Sequence, residues 1–356
     1  FLGNVTVDGT LTVNTSGGNI SIAGNITSTG TDEVVSLSDG TGTGTITLGG
    51  TVTSGDITLI GDSGISIAGD ITSNKDGAAG AIAFTGTVTL TGDVIVTADD
   101  HADSTITFNS TVNASTSGGQ SLTLDTDAGA IAMEAAIGVV ALNTLTVNAD
   151  GAGNIEIAGY GSVSNPGVIG TTAIGNANTG TLTLDGRVYH TTGSQTYTAA
   201  TGQNIDITNT NGITLTTTNT AVAFNTSGVD LANDATTTIN TGTGAGAVTF
   251  QGAIETDGGN DDILTVTSGT GNVTFTGALG ATEELGGLNV NSSAGDGDIT
   301  FTSTIGDSDN AGIIGTTAIG NDTTADLNFN STIYSFDGTT TITAASGDTI
   351  DIGSPA

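Results

Sequence analysis

Residues 271–306 read GNVTFTGALGATEELGGLNVNSSAGDGDITFTSTIG. Three apolar–polar–apolar triplets, Val273-Thr274-Phe275, Leu288-Asn289-Val290 and Ile299-Thr300-Phe301, stand between runs of Gly, Ser, Asn and Asp. Alternation of this kind marks a strand with one buried face, and the small polar runs between are turn chemistry. Working outward, the phrase returns about every 25 residues. Toward the N-terminus it reads Ile20-Ser21-Ile22, Ile46-Thr47-Leu48, Ile65-Ser66-Ile67, Ile82-Ala83-Phe84, Ile106-Thr107-Phe108, Ile131-Ala132-Met133, Ile155-Glu156-Ile157 and Leu182-Thr183-Leu184. Later instances are Val222-Ala223-Phe224, Val248-Thr249-Phe250 and Leu327-Asn328-Phe329. A period of roughly 20–50 residues is the mark of a solenoid or array.

Two further short strands fit into many of the repeats, such as Val52-Thr53 and Ile57-Thr58-Leu59, or Val88-Thr89-Leu90 and Val94-Ile95-Val96. Three strands per repeat, with Gly, Asn and Asp between them, describe one coil of an all-β, right-handed parallel β-helix (a β-solenoid). Residues 1–356 then form one continuous body, with successive coils about 4.8 Å apart and a rod on the order of 65 Å long. The third slot of the phrase holds Phe84, Phe108, Phe224, Phe250, Phe275, Phe301 and Phe329, with Met133 in the same slot. Equivalent slots stack in a β-helix, so these rings predict an internal Phe ladder. A ligand-binding aromatic stripe is the competing reading. Core is favoured because Leu48, Ile67, Ile157 and Leu184 fill the same slot elsewhere.

The glycine content, 57 residues, invites a disordered reading, but a 35% apolar fraction at regular spacing argues against it. Acidic residues total 36 against 2 basic ones, a net charge of −34. Counterion release at phosphates needs clustered Lys and Arg, so nucleic-acid binding is excluded as a main activity and anionic lipid is disfavoured. Like charge keeps such a chain dispersed, and it also suits divalent cations. Cysteine is absent, so there is neither a disulfide framework nor a thiolate metal site. No stretch is long and apolar enough for membrane insertion. A start at Phe1 without a leader is expected for a processed chain or a fragment.

A longer repeat lies over the short one. Ile169-Gly-Thr-Thr-Ala-Ile-Gly-Asn176 recurs letter for letter at 314–321, and Tyr189 and Tyr334 continue the match. This gives a unit of about 145 residues, 106–247 and 248–356, the second copy incomplete. The copied stretch is expected to leave the wall as a surface excursion able to make lateral contacts. No capping element is visible at either end, where Val5-Thr6-Val7 and Ile350-Asp351-Ile352 keep the strand pattern. Val5, Val7, Ile350 and Ile352 are therefore the expected assembly residues, because head-to-tail stacking of open ends makes filaments.

Among polar clusters, Asp99, Asp100, His101 and Asp103 are the densest, and Asp257 to Leu264 (DGGNDDIL) resembles a calcium-binding repeat that occurs once. Asp99, Asp100, Asp103, Asp257, Asp261 and Asp262 are candidate calcium ligands, since oxygen-rich acidic turns suit that ion. Solvated turns are the plainer reading, and no other cofactor is expected. Catalysis is not expected. Lys75 and Arg187, and likewise His101 and His190, are separated by several coils, and nothing singles out an acid pair. Threonine pairs such as Thr45/Thr47 fit ice-binding solenoids, but the outward slots, taken in chain order, are too irregular for a lattice.

The cadence of Gly271 to Gly306 resembles the repeats of giant bacterial surface proteins of the filamentous-haemagglutinin type. That resemblance implies a right-handed parallel β-helix, secretion, and a role in attachment or surface structure. The family's N-terminal secretion domain is not recognisable in this sequence. The expected function is an extracellular structural protein at the cell surface, a subunit of a filament or sheath stacked head-to-tail with itself. The alternatives are the stalk of a large adhesin that meets surface glycans or other cells, and a polysaccharide-acting β-helix enzyme.

Overall fold

The computed structural model describes residues 1–75, 78–98, 101–231, 234–258, 261–292 and 297–353. Among them all regular structure is β, without a helix. The strands stack in parallel as a β-solenoid of about 14 turns, about 24 residues per turn. The chain forms two compact units, Phe1–Gly180 and Thr181–Ala356.

In the first unit the chain visits three faces in rotation. The first face stacks Val5–Val7, Ile26–Ser28, Val52–Ser54, Ile71–Ser73, Val94–Ala98, Leu122–Thr126, Leu145–Ala149 and Thr172–Ile174. The second runs from Thr10–Asn14 through Asp56–Ile60 and Thr105–Phe108 to Ile155–Ile157. The third runs from Ile20–Ile22 to Val112–Ala114. Register follows the pleat. Ile82 pairs with Ile106 and Phe84 with Phe108, all buried, while Ala83 pairs with Thr107 on the outside. A one-residue slip would turn every buried side chain to solvent, so the apolar pattern fixes the register.

The second unit repeats the scheme. One face stacks Gln195–Thr198, Val222–Asn225, Val248–Phe250, Val273–Phe275, Ile299–Phe301, Leu327–Phe329 and Ile350–Ile352. Another stacks Leu182–Leu184, Asn204–Ile207, Gly228–Leu231 and Ala253–Thr256. The third runs from Val188–His190 to Thr340–Ile342. At the corners, buried hydroxyls bond to carbonyls of the turn. Thr126 Oγ1 donates to Gly129 O at 2.7 Å, and Thr241 Oγ1 donates to Gly246 O at 2.6 Å. A corner inside a dry core leaves carbonyls without strand partners, and Thr or Ser supplies the missing donor.

The aromatic ladder exists, in two pieces. Phe84 stacks on Phe108 at 4.3 Å in the second face of the first unit, and Met133 follows in register. In the second unit Tyr197, Phe224, Phe250, Phe275, Phe301 and Phe329 form an unbroken stack, centroids 4.8–5.2 Å apart. The sequence phrase therefore mixes faces: Ile20-Ser21-Ile22 lies on the third face of its unit, whereas Ile82-Ala83-Phe84 lies on the second. Sorted by face, the outward slots are more regular than chain order implies. Thr6, Thr27, Thr53, Thr72 and Thr97 form one column.

The copied octapeptide is not a surface excursion. It contributes the wall strands Thr172–Ile174 and Thr317–Ile319, each with its first and last residue buried. What leaves the wall is the turn just before it. Ser162 N donates to Asn165 O in one copy and Asp307 N to Asn310 O in the other. Past the octapeptide, Asn176 N and Asn321 N donate to Thr179 Oγ1 and Thr324 Oγ1. The duplication thus preserves a hydrogen-bonded corner, coil by coil.

Candidate functional site

Carboxylates are the abundant chemical groups, and the structure uses many of them as staples. Asn272 Oδ1 accepts Asp298 N at 3.0 Å, Asp298 Oδ1 accepts Asp326 N at 3.2 Å, and Asp326 Oδ1 accepts Thr349 N at 2.8 Å. One turn side chain thus holds the next coil's amide, coil after coil. Asp70 and Asp93 do the same for Ile95 N and Ser121 N in the first unit. The amide and hydroxyl of Thr349 hold Asp326 below the usual carboxylate range. Asp56 bridges Ala81 N and Lys75 Nζ, the latter at 2.8 Å.

A second group of acids is stacked rather than stapled. Asp206, Asp230 and Glu255 are register partners on successive coils of one face of the second unit. Parallel register places like charges about 4.8 Å apart. Asp206, Ile207, Thr208, Asp230 and Asp257 line a shallow cleft there. Burial pushes Asp206 up, with repulsion from Asp230 and Asp257 adding to it. Burial also raises Glu255, although its carboxylate accepts Thr282 N and Glu283 N at 3.1 and 3.0 Å. Asn204 Nδ2 steadies Asp230 at 2.7 Å. Chemically, this column is a reservoir of closely spaced negative charge that favours protons or counter-cations.

The residues singled out from sequence fall in several places. Asp99 and Asp100 lie outside the described residues. Asp103 is exposed in a turn of the first unit, its amide donating to His101 Nδ1 at 3.1 Å. Asp257 and Asp261 are exposed in the turn before Ile263–Ser268, while Asp262 is fully buried. Asp262 Oδ1 accepts Ala235 N at 3.2 Å, and Oδ2 has no hydrogen-bond partner. Burial, with repulsion from Asp234 and Asp257, pushes Asp262 up to about 6. Among the described residues, no three His, Asp or Glu side chains converge in a metal-holding group. The stacked column of Asp206, Asp230 and Glu255 was not singled out. Its signal is spacing: positions 206, 230 and 255 are about one coil apart.

At the ends, Val5–Val7 pairs along one edge with Ile26–Ser28, and Ile350–Ile352 along one edge with Leu327–Phe329. No strand among the described residues occupies their other edges. Val7 is buried and Val5 half-buried, whereas Ile350 and Ile352 are exposed. Comparisons with family models, with curated proteins and with solved structures gave no match.

Proposed function

We propose that this chain is a structural β-solenoid of the extracellular surface, without catalytic function, whose copies stack end to end into a filament or sheath. The observation that carries this reading is the open edge of Ile350–Ile352, where a row of backbone groups stands beside two exposed isoleucines. Such an edge is a template for another strand. Ile350 and Ile352 on one copy, meeting Val5 and Val7 on the next, would bury apolar side chains and continue the parallel ladder. The contact is heterologous and does not close, so it propagates.

The repeated corner motif favours a second reading, the stalk of a larger adhesin of the filamentous-haemagglutinin type. Duplicated coils lengthen a stalk without new chemistry. Here the same open edges continue into further coils of one polypeptide.

Electron microscopy of the purified chain, with and without calcium, tests the first reading. Unbranched filaments that vanish in an Ile350→Asp/Ile352→Asp variant are expected. Single particles at every concentration would overturn it and favour the stalk.

A further inference from the structure

We propose that an exposed apolar patch on the first unit docks against the same patch of a second copy of this chain, joining copies side by side. The patch is built by two loops on successive coils. Ile137 bridges Tyr160 and Leu142 bridges Val168, so loop 138–141 and loop 161–167 stack on each other. Gly138 and Gly161, with φ of +76° and +73°, turn the chain outward at the start of each loop. Val139 and Val163 emerge 76% and 82% exposed, with Val140 and Ile169 at the margin. Outside the terminal segments, the exposed large hydrophobic residues among those described are these four, Ile95 and Ile263. Three of the six in two neighbouring loops, with Ile169 just past the second, is a concentration, not scatter.

The second unit carries the same backbone device with different decoration. Leu279 bridges Ile305 and Leu285 bridges Ile313, and Gly280 and Gly306 again have positive φ. The loop positions there include Glu283, Glu284, Asp307 and Asp309. Where the second unit reads Asp307-Ser308-Asp309, the first reads Ser162-Val163-Ser164. A loop that accepts carboxylates so readily has no structural need for valine.

Charge selects the occupant. A chain of net charge −34 repels its own copies over most of its surface. Residues 135–149 and 157–184 contain no charged side chain, so copies approach there with the least repulsion. Docking the patch on the acidic loops instead would strand carboxylates out of water. Patch against patch buries valines on both sides, and a two-fold contact brings like residues together.

The chain lacks cysteine, so single cysteines report the contact without background. The test is run in the Ile350→Asp/Ile352→Asp background, which removes end contacts. Val163→Cys is expected to form a disulfide-linked dimer under mild oxidation, while Ser308→Cys, at the matching loop, stays monomeric. In sedimentation velocity, self-association is expected to strengthen with salt, which screens the repulsion. Replacing Ser162-Val163-Ser164 by the sequence of 307–309 is expected to weaken it about tenfold or more, with the β circular-dichroism signal kept. Equal cross-linking of the two cysteine variants, or a monomer at all salt concentrations, would overturn the proposal.

Discussion

Phe250 lies flat on Phe224, centroids 4.8 Å apart and planes within 2° of parallel, although 26 residues of chain separate them. Phe275 covers the other side at 5.2 Å. One ring is therefore packed by the coil before and the coil after, and its loss opens a cavity no neighbour can fill. Phe250→Ala is expected to cost about 3–5 kcal/mol, and Phe250→Leu less than half of that. Urea unfolding of the two variants checks the order.

Gln195 is a buried polar node at the start of the same stack. Its Nε2 donates to Tyr189 O at 2.8 Å and Thr216 O at 2.9 Å, while Tyr197 OH donates to its Oε1 at 3.0 Å. Gln195→Leu keeps the bulk but strands those carbonyls, a loss of roughly 2–4 kcal/mol. Tyr197→Phe removes one neutral hydrogen bond and is expected to cost about 1 kcal/mol. Thermal melts that rank the two variants the other way would contradict this assignment.

Gly312 sits where two coils touch. A Cβ there would meet the Gly306 amide and lie 2.6 Å from Leu279 O, both backbone atoms that cannot swing aside. Gly3 has open space around the same position. Gly312→Ala is expected to destabilise by about 2 kcal/mol or more, and Gly3→Ala by less than about 0.5 kcal/mol. Denaturant midpoints of the pair measure the difference.

Acid is expected to stabilise the protein before it harms it. Asp125, Asp206, Glu255 and Asp262 are all raised in the folded state, first by burial, with neighbouring carboxylates adding to it. A raised carboxyl binds its proton more tightly folded than unfolded. Its penalty is full above the folded value, about 6 for Asp262, and relaxes as pH falls toward the ordinary 3.8. Asp307 and Asp326 are lowered by backbone amides, so their contribution is lost at still lower pH. The melting temperature is expected to rise from pH 7 to about pH 5 and to fall below about pH 3.5. A melting temperature that drops steadily from pH 7 downward would contradict this.

The fold was legible because every coil repeats one instruction. Apolar residues at alternate positions, two or three per strand, fix burial and register together, as Ile82-Ala83-Phe84 and Ile106-Thr107-Phe108 show. The face each phrase occupies was not legible. Val-Thr-Phe reads the same on any face, since all share one inside and one outside, and unequal turns move the phrase from face to face. That is why one expected Phe ladder is two, and why the Thr6 to Thr97 column was hidden. The copied octapeptide hides its strand for a related reason. Its Gly and Thr content resembles a loop, but Ala173 lies between buried Thr172 and Ile174 in a strand. The acidic column escaped because an average period of about 25 residues does not say which of many acids become register partners, as Asp206 and Asp230 do.

The most direct measurement is a cryo-electron microscopy reconstruction of the assembled chain, resolved at the junction between copies. The account predicts Ile350–Ile352 of one copy in parallel register with Val5–Val7 of the next, at the inter-strand spacing of about 4.8 Å. Copies whose terminal strands stand apart, joined by other surfaces or not joined at all, would contradict it.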